Sequence, residues 1–142
     1  MKMRGMGKRT VKHSLQVALA DLGAEMRKDS CGLYILKYNS MEYFIEMDEN
    51  DGTFCVFQTV MGINGELSEK EFGTVLDVVK HFHSEYNGEW NEGLSYVHSP
   101  WYNTRSHEFD SKELERIIND FFEVWSFACA NACMLTDASI WE

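Results

Sequence analysis

The sequence predicts an α+β fold: an antiparallel sheet of about five strands with three flanking helices, in the order α-β-β-β-α-β-β-α. Three observations carry this. Two long apolar stripes of helical period begin behind Ser68 and Asp110, each with a glutamate three residues further on. Five short runs rich in aromatic and β-branched residues are separated by polar turns. The connections between successive runs are short, so sequence neighbours pair as antiparallel neighbours and the helices pack on the sheet they form.

The first helix is predicted over roughly Val11 to Lys28. Val11, Leu15, Ala18, Leu19, Leu22 and Met26 fall on one face at helical spacing. Three strands follow: "GLYILKY" (Gly32–Tyr38), "EYFIEMD" (Glu42–Asp48) and "TFCVFQTV" (Thr53–Val60). Between the last two lies "DENDG", which invites comparison with a calcium loop. An EF-hand loop needs an acid at its first position and glycine at its sixth. Placing Gly52 sixth puts Met47 first and Gln58 twelfth, so both end ligands are missing. The stretch is a hairpin turn, in which Asn50, Asp51 and Gly52 supply the backbone freedom.

The second helix is predicted from Glu69 to Tyr86. Ser68 and Glu71 form a capping box, Leu67 and Phe72 a hydrophobic staple, and Asn87-Gly88 a stop. Its buried stripe is Phe72, Val75, Leu76, Val79, Phe82 and Tyr86. "GLSYVHS" and "WYNTRSHEF" then read as a strand pair joined at Pro100, the chain's single proline. Asp110 caps the third helix, Glu113 completes its box, and Phe109 staples to Leu114. Its stripe runs through Ile117, Ile118, Phe121, Trp125, Ala128, Cys129 and Ala132. Leu135, Ile140 and Trp141 follow in a short tail that offers large apolar groups to a partner.

The chain has 142 residues, of which 44% are hydrophobic and 13% aromatic, enough for one domain with a real core. Residues 1–10 read as a basic flexible tail and 11–142 as a single domain, with no repeat or linker dividing it. No apolar run is long enough to span a membrane. The basic N-terminus lacks the apolar stretch of a signal peptide. A cytoplasmic protein with four reduced thiols and no disulfide is expected. The net charge is −10. Five of the 13 bases (Lys2, Arg4, Lys8, Arg9, Lys12) precede the first acid, Asp21, which leaves 8 bases against 23 acids, a net −15. Such a body repels nucleic acid and anionic lipid and favours basic or amphipathic polypeptides.

Few residue groups suggest chemistry. Cys129 and Cys133, four apart, share a helix face, which admits a thiol- or metal-dependent enzyme using that pair and a histidine. The spacing is not CxxC and no second pair lies at zinc-site distance, so small buried hydrophobes are the plainer reading. His81 and His83 are two apart on a helix and point away from each other. His98 and His107 flank the last predicted hairpin. There is no nucleophile elbow, P-loop or dinucleotide fingerprint. No metal, cofactor or small-molecule ligand is expected.

The element order, the "MEYFIEMDENDGTFCVF" hairpin and the final helix beginning "DSKELERIINDFFEVW" resemble YbjN-type proteins, a family described as sensory transduction regulators. The resemblance spans about Val11 to Cys133 and implies the fold of type III secretion chaperones. It implies a dimeric, non-enzymatic module, chaperone-like or regulatory, that holds a polypeptide, and it carries over no catalytic residues. The apolar inventory points the same way, because aromatic residues occur on both parities of the strands and three helices cannot easily cover both sheet faces. The partner contact is expected at Tyr96, Trp101, Leu135, Ile140 and Trp141.

Overall fold

The computed structural model describes residues 10–92, 94–106 and 108–137. Three helices, α1 (Val11–Asp21), α2 (Glu69–Phe82) and α3 (Ser111–Thr136), accompany seven strands. The strands are β1 (Glu25–Lys28), β2 (Tyr34–Tyr38), β3 (Met41–Asp48), β4 (Thr53–Thr59), β5 (Asn87–Asn91), β6 (Leu94–His98) and β7 (Tyr102–Asn103). They form one open sheet in the order β1-β2-β3-β4-β6-β5, with β7 also on β4. The class is therefore α+β, as predicted, with seven strands where about five were expected. The chain divides into two units, residues 1–56 with 101–118, and residues 57–100 with 119–142.

In the first unit, α1 stops at Asp21 and does not reach Lys28. Gly23 adopts φ +69°, the left-handed conformation that ends a helix. The Ala24 N–H reaches back to the Leu19 carbonyl at 3.0 Å and the Gly23 N–H to that of Ala20 at 3.2 Å, a Schellman closure. The next four residues are then free to pair with β2 as strand β1. Val11, Leu15, Ala18 and Leu19 are buried as the stripe requires. Thr10, the last residue of the predicted tail, is the N-cap, and its hydroxyl accepts from the His13 N–H at 3.1 Å.

Strands β2 and β3 close on Asn39 and Ser40, both at positive φ (52° and 66°), with Tyr38 opposite Met41. This is the geometry of a two-residue type I′ hairpin. Leu36, Tyr43 and Ile45 are buried on one face, while on the other Arg27 of β1 binds Glu42 at 3.0 Å. The "DENDG" stretch is a turn, as register required. The Gly52 N–H returns to the Asp48 carbonyl at 2.8 Å, and Gly52 has φ +74°. Its acids serve the fold: Glu49 accepts from the N–H groups of Val11 (2.8 Å) and Lys12 (3.2 Å), a carboxylate at the positive end of α1. Arg105 closes over the turn, donating to the carbonyls of Asn50 (3.2 Å) and Glu49 (2.6 Å).

In the second unit the predicted capping box is complete: Ser68 Oγ accepts from Glu71 N–H at 3.1 Å and Glu71 Oε1 from Ser68 N–H at 2.8 Å. Helix α2 ends at Phe82, four residues before Tyr86. The Asn87-Gly88 pair, read from sequence as the helix stop, opens strand β5. Strand β6 pairs with β5 and with Phe57–Thr59 of β4, so it does not form a hairpin with the "WYNTRSHEF" run. Among the described residues of that run, Tyr102 and Asn103 form the strand, pairing with Phe54 and Thr53 in the first unit. Pro100, which has no N–H to give a ladder, falls in the sequence between β6 and β7.

Helix α3 begins where Asp110 predicted, with Asp110 Oδ1 accepting from Glu113 N–H at 2.9 Å. The Glu113 carboxylate is held by Arg116 at 2.9 and 2.8 Å, where a full box would turn it back to the cap. That pairing holds the Glu113 carboxyl below its usual range.

Candidate partner-binding surface

The second unit leaves large apolar side chains exposed on a loop that is held to α3, and on α3 itself. After β4 the chain runs beside α3 and is tied to it by side chains one turn or more apart. Trp125 Nε1 donates to the Thr59 carbonyl at 2.8 Å. The Cys129 thiol takes a hydrogen bond from the Met61 main chain. Thr136 Oγ1 accepts from Ile63 N–H at 2.9 Å and donates to the Ala132 carbonyl at 2.8 Å. The loop then turns within itself, Gly62 and Gly65 exchanging bonds of 2.7 and 3.2 Å. Gly62 lies so close to Thr136 that a Cβ there would sit 2.6 Å from its hydroxyl oxygen. Met61 and Ile63 flank this fixed glycine and are 54% and 53% exposed. On α3, Phe122 and Met134 are exposed as well, Met134 by 60%.

The predicted contact residues are distributed as follows. Tyr96 is half-buried on β6, its ring 5.3 Å from that of Phe57 and its hydroxyl bonded to the Glu89 carboxylate. Leu135 is half-buried near the end of α3. Both belong to the second unit, while Trp101, 45% exposed, belongs to the first. Ile140 and Trp141 lie outside the described residues. Sequence reasoning missed Met61, Ile63, Leu94, Phe122 and Met134, and it placed Phe82 in the buried stripe. Phe82 is 65% exposed. It occupies the last position of α2, where it meets Phe127 edge-on at 5.6 Å.

The residues considered for chemistry are placed as follows. His81 and His83 end α2, His83 lying edge-on to Phe127 and Tyr86, and His98 Nδ1 is 2.9 Å from the Ser99 carbonyl. His107 lies outside the described residues. Among the described residues no three His, Cys, Asp or Glu side chains are placed to hold a metal ion, and no helix is long and apolar enough to cross a membrane. A polar hollow of about 330 Å³ in the first unit is lined by Gly23, Glu25, Lys37, Tyr38, Asn39 and Ser40, with neither a thiol nor a histidine. The Tyr38 hydroxyl at its edge bonds the Glu115 carboxylate, which raises the phenol above its ordinary range.

Burial pushes the Cys129 thiol up to about 11, with Cys133 adding to the rise and the Met61 bond opposing it. Burial also pushes Cys55 up to about 12, aided by Glu46, and raises Tyr43. Such thiols are neutral near pH 7 and poor nucleophiles. Each holds its proton more tightly in the folded chain than in the unfolded one, where the thiols titrate near 9.0. Their contribution to stability is therefore whole below that value and is lost as pH climbs from there toward 11 and 12. The thermal midpoint is expected to fall steadily above about pH 9. A Cys55→Ala/Cys129→Ala variant should show a shallower fall. An identical alkaline slope in the variant would show that the thiols are not its source.

Fold and surface together define an α+β chain that leaves large apolar side chains exposed on the loop after β4 and on α3. No family model matches the chain, and no curated protein matches it. Among solved structures, a chain of the ExsC–ExsE complex is similar, with a TM-score of 0.54 at 12% sequence identity. The match covers 89% of this chain and 97% of that one. At this identity the likeness is one of fold, and it agrees with the secretion-chaperone-like architecture that the sequence resemblance implied.

Proposed function

We propose that this protein is a non-enzymatic protein-binding module of the YbjN type, chaperone-like or regulatory, that works in the cytoplasm as a homodimer on a polypeptide partner. The observation that carries the reading is the set of large apolar side chains left exposed: Met61, Ile63, Phe82, Leu94, Phe122 and Met134 in one unit, and Val17, Leu33 and Trp101 in the other. Exposed groups of this size mark surfaces that another chain covers. The ExsC–ExsE complex is an assembly of two proteins, which supports a polypeptide as the partner. Tyr96, Trp101, Leu135, Ile140 and Trp141 contribute to the contact in this reading. Residues 11–142 act as one domain, supported by β4 and α3, each of which runs through both units.

Sedimentation velocity at micromolar concentration tests the proposal, together with mass spectrometry of any polypeptide retained from the native host. The wild type is expected to sediment as a dimer and to retain a stoichiometric partner. Trp101→Ala and Trp141→Ala should weaken one or both associations by about 2 kcal/mol, the scale of an interfacial aromatic anchor. A wild-type monomer that retains no polypeptide would remove the reading.

A further inference from the structure

Charge and exposed rings meet at the C-terminal end of α2. Residues 57–100 and 119–142 carry 11 acids and two bases, Lys70 and Lys80, a net −9. The other unit carries 12 acids and 11 bases, a net −1, so nearly all of the chain's −10 resides in the second. In that acidic unit Phe82 ends α2 with 65% of its surface exposed, edge-on to His81 at 4.8 Å and to Phe127 of α3 at 5.6 Å. The chain then passes along α3, with the His83 ring 6.1 Å from Phe127 and the Tyr86 ring 6.4 Å from Phe121.

Helical spacing decides what lies beside these rings. Glu123, Phe127, Ala130 and Met134 follow one another at steps of three or four residues, so they share one side of α3 over roughly 16 Å. Trp125, Cys129 and Thr136, which hold the Met61–Ile63 loop, face the other way. Glu123, Ala130 and Met134 are exposed. Glu85 falls between His83 and Tyr86 and so lies along the same stretch of α3 as Glu123. Both carboxylates are exposed, and among the described residues neither has a hydrogen-bond or ion-pair partner. The nearest bases are turned away or engaged. Lys80, two residues before Phe82, is on the opposite side of α2. Arg116, two turns before Glu123 on α3, is held by Glu113 at 2.8 Å, and Lys112 lies a turn further back.

We infer that this side of α3, together with Phe82, is the docking site for an amphipathic segment of the partner polypeptide that carries an arginine or lysine at one end of its apolar residues. The inference rests on the protein-binding reading and specifies its chemistry. The base meets Glu85 and Glu123 at the aromatic end, where the exposed Phe82 ring also attracts a cation. Apolar side chains of the segment cover Ala130 and Met134. An acidic segment would be repelled at one end, and a wholly apolar one would leave both carboxylates without a counter-charge.

The test uses the full chain and a fluorescently labelled peptide with arginines at one end of an alanine–leucine run, read by anisotropy. The same peptide with glutamates in place of the arginines is the charge control. The arginine peptide is expected to bind, more weakly as salt rises, and the glutamate peptide is not. Phe82→Ser/Met134→Ser should weaken binding about tenfold or more, as loss of apolar anchors does. Glu85→Gln/Glu123→Gln should weaken it about threefold to tenfold and flatten the salt dependence. Glu66→Gln/Asp77→Asn removes the same charge from the same unit, before the start of α2 and on the side of α2 away from Phe82. It should change the affinity by less than about twofold. All substituted residues are exposed, and circular dichroism checks that the variants fold. Absence of binding, equal binding of the glutamate peptide, unchanged affinity in Phe82→Ser/Met134→Ser, or equal losses in the two charge variants would overturn the inference. If the wild type still sediments as a dimer with a retained polypeptide, the protein-binding reading outlives that failure. If it does neither, both are lost.

Discussion

Replacing Phe54 by alanine is expected to lower the unfolding free energy by about 3–5 kcal/mol, the range for emptying a fully buried aromatic site. Phe54 is wholly enclosed on β4. Its ring meets Phe109 edge-on and Tyr102 at a tilt, both at 5.7 Å between centroids. Tyr102 is also its backbone partner across the β4–β7 pairing. The substitution therefore removes the group on which β7 and the approach to α3 rest in the first unit. Neither neighbour can follow freely, because Tyr102 is held in register and Phe109 lies one residue before the Asp110 cap. Domains of this size are stable by about 5–15 kcal/mol, so the variant loses about a fifth or more of what it has. Urea denaturation reads this as a lower midpoint with an unchanged slope. Phe57→Ala on the same strand, at a half-buried position, should cost much less. A loss below about 1 kcal/mol at Phe54 would mean that the site collapses without a cavity, contrary to the packing described.

What the sequence disclosed and what it hid divide along the range of the determining interactions. The starts of α2 and α3 were legible because a cap is decided within four residues: Ser68 and Glu71, Asp110 and Glu113 find each other locally. The "DENDG" turn was legible by register for the same reason. The end of α1 was misread because Leu22 and Met26 continue the helical spacing, although Gly23 carried the stop. Strand β5 was hidden because Asn-Gly after a helix is equally a terminator, and only pairing with β6 makes it a strand. The exposed loop was beyond reach of pattern reading. Met61 and Ile63 look like the end of a buried strand until Thr136, 73 residues from Ile63, is seen to fix the backbone between them. The charge partition was hidden likewise, since the acidic unit is assembled from two segments separated by Trp101–Ile118.

Gly88→Ala is expected to destabilise the protein by about 2–3 kcal/mol, at the upper end of the range for overpacking. A Cβ at Gly88 would lie 2.6 Å from the Tyr96 carbonyl oxygen and 2.9 Å from Phe72 Cζ. The first is main chain of the neighbouring strand β6, in register with Gly88's own partner Val97, so it cannot swing aside as a side-chain end can. The second is the buried ring of α2 that packs on β5 at this point. The missing side chain thus lets helix and strand approach closely, and an added methyl must part them. Gly73→Ala makes the matched control. Gly73 lies inside α2, its φ is ordinary, and a Cβ there meets nothing within 4 Å. It should therefore stabilise by about 0.5–1 kcal/mol through helix propensity and a less flexible unfolded chain. One chemical change applied at two glycines fifteen residues apart is expected to move the urea midpoint in opposite directions. If both variants shifted it the same way, the close contact of α2 with β5 at Gly88 would be wrong.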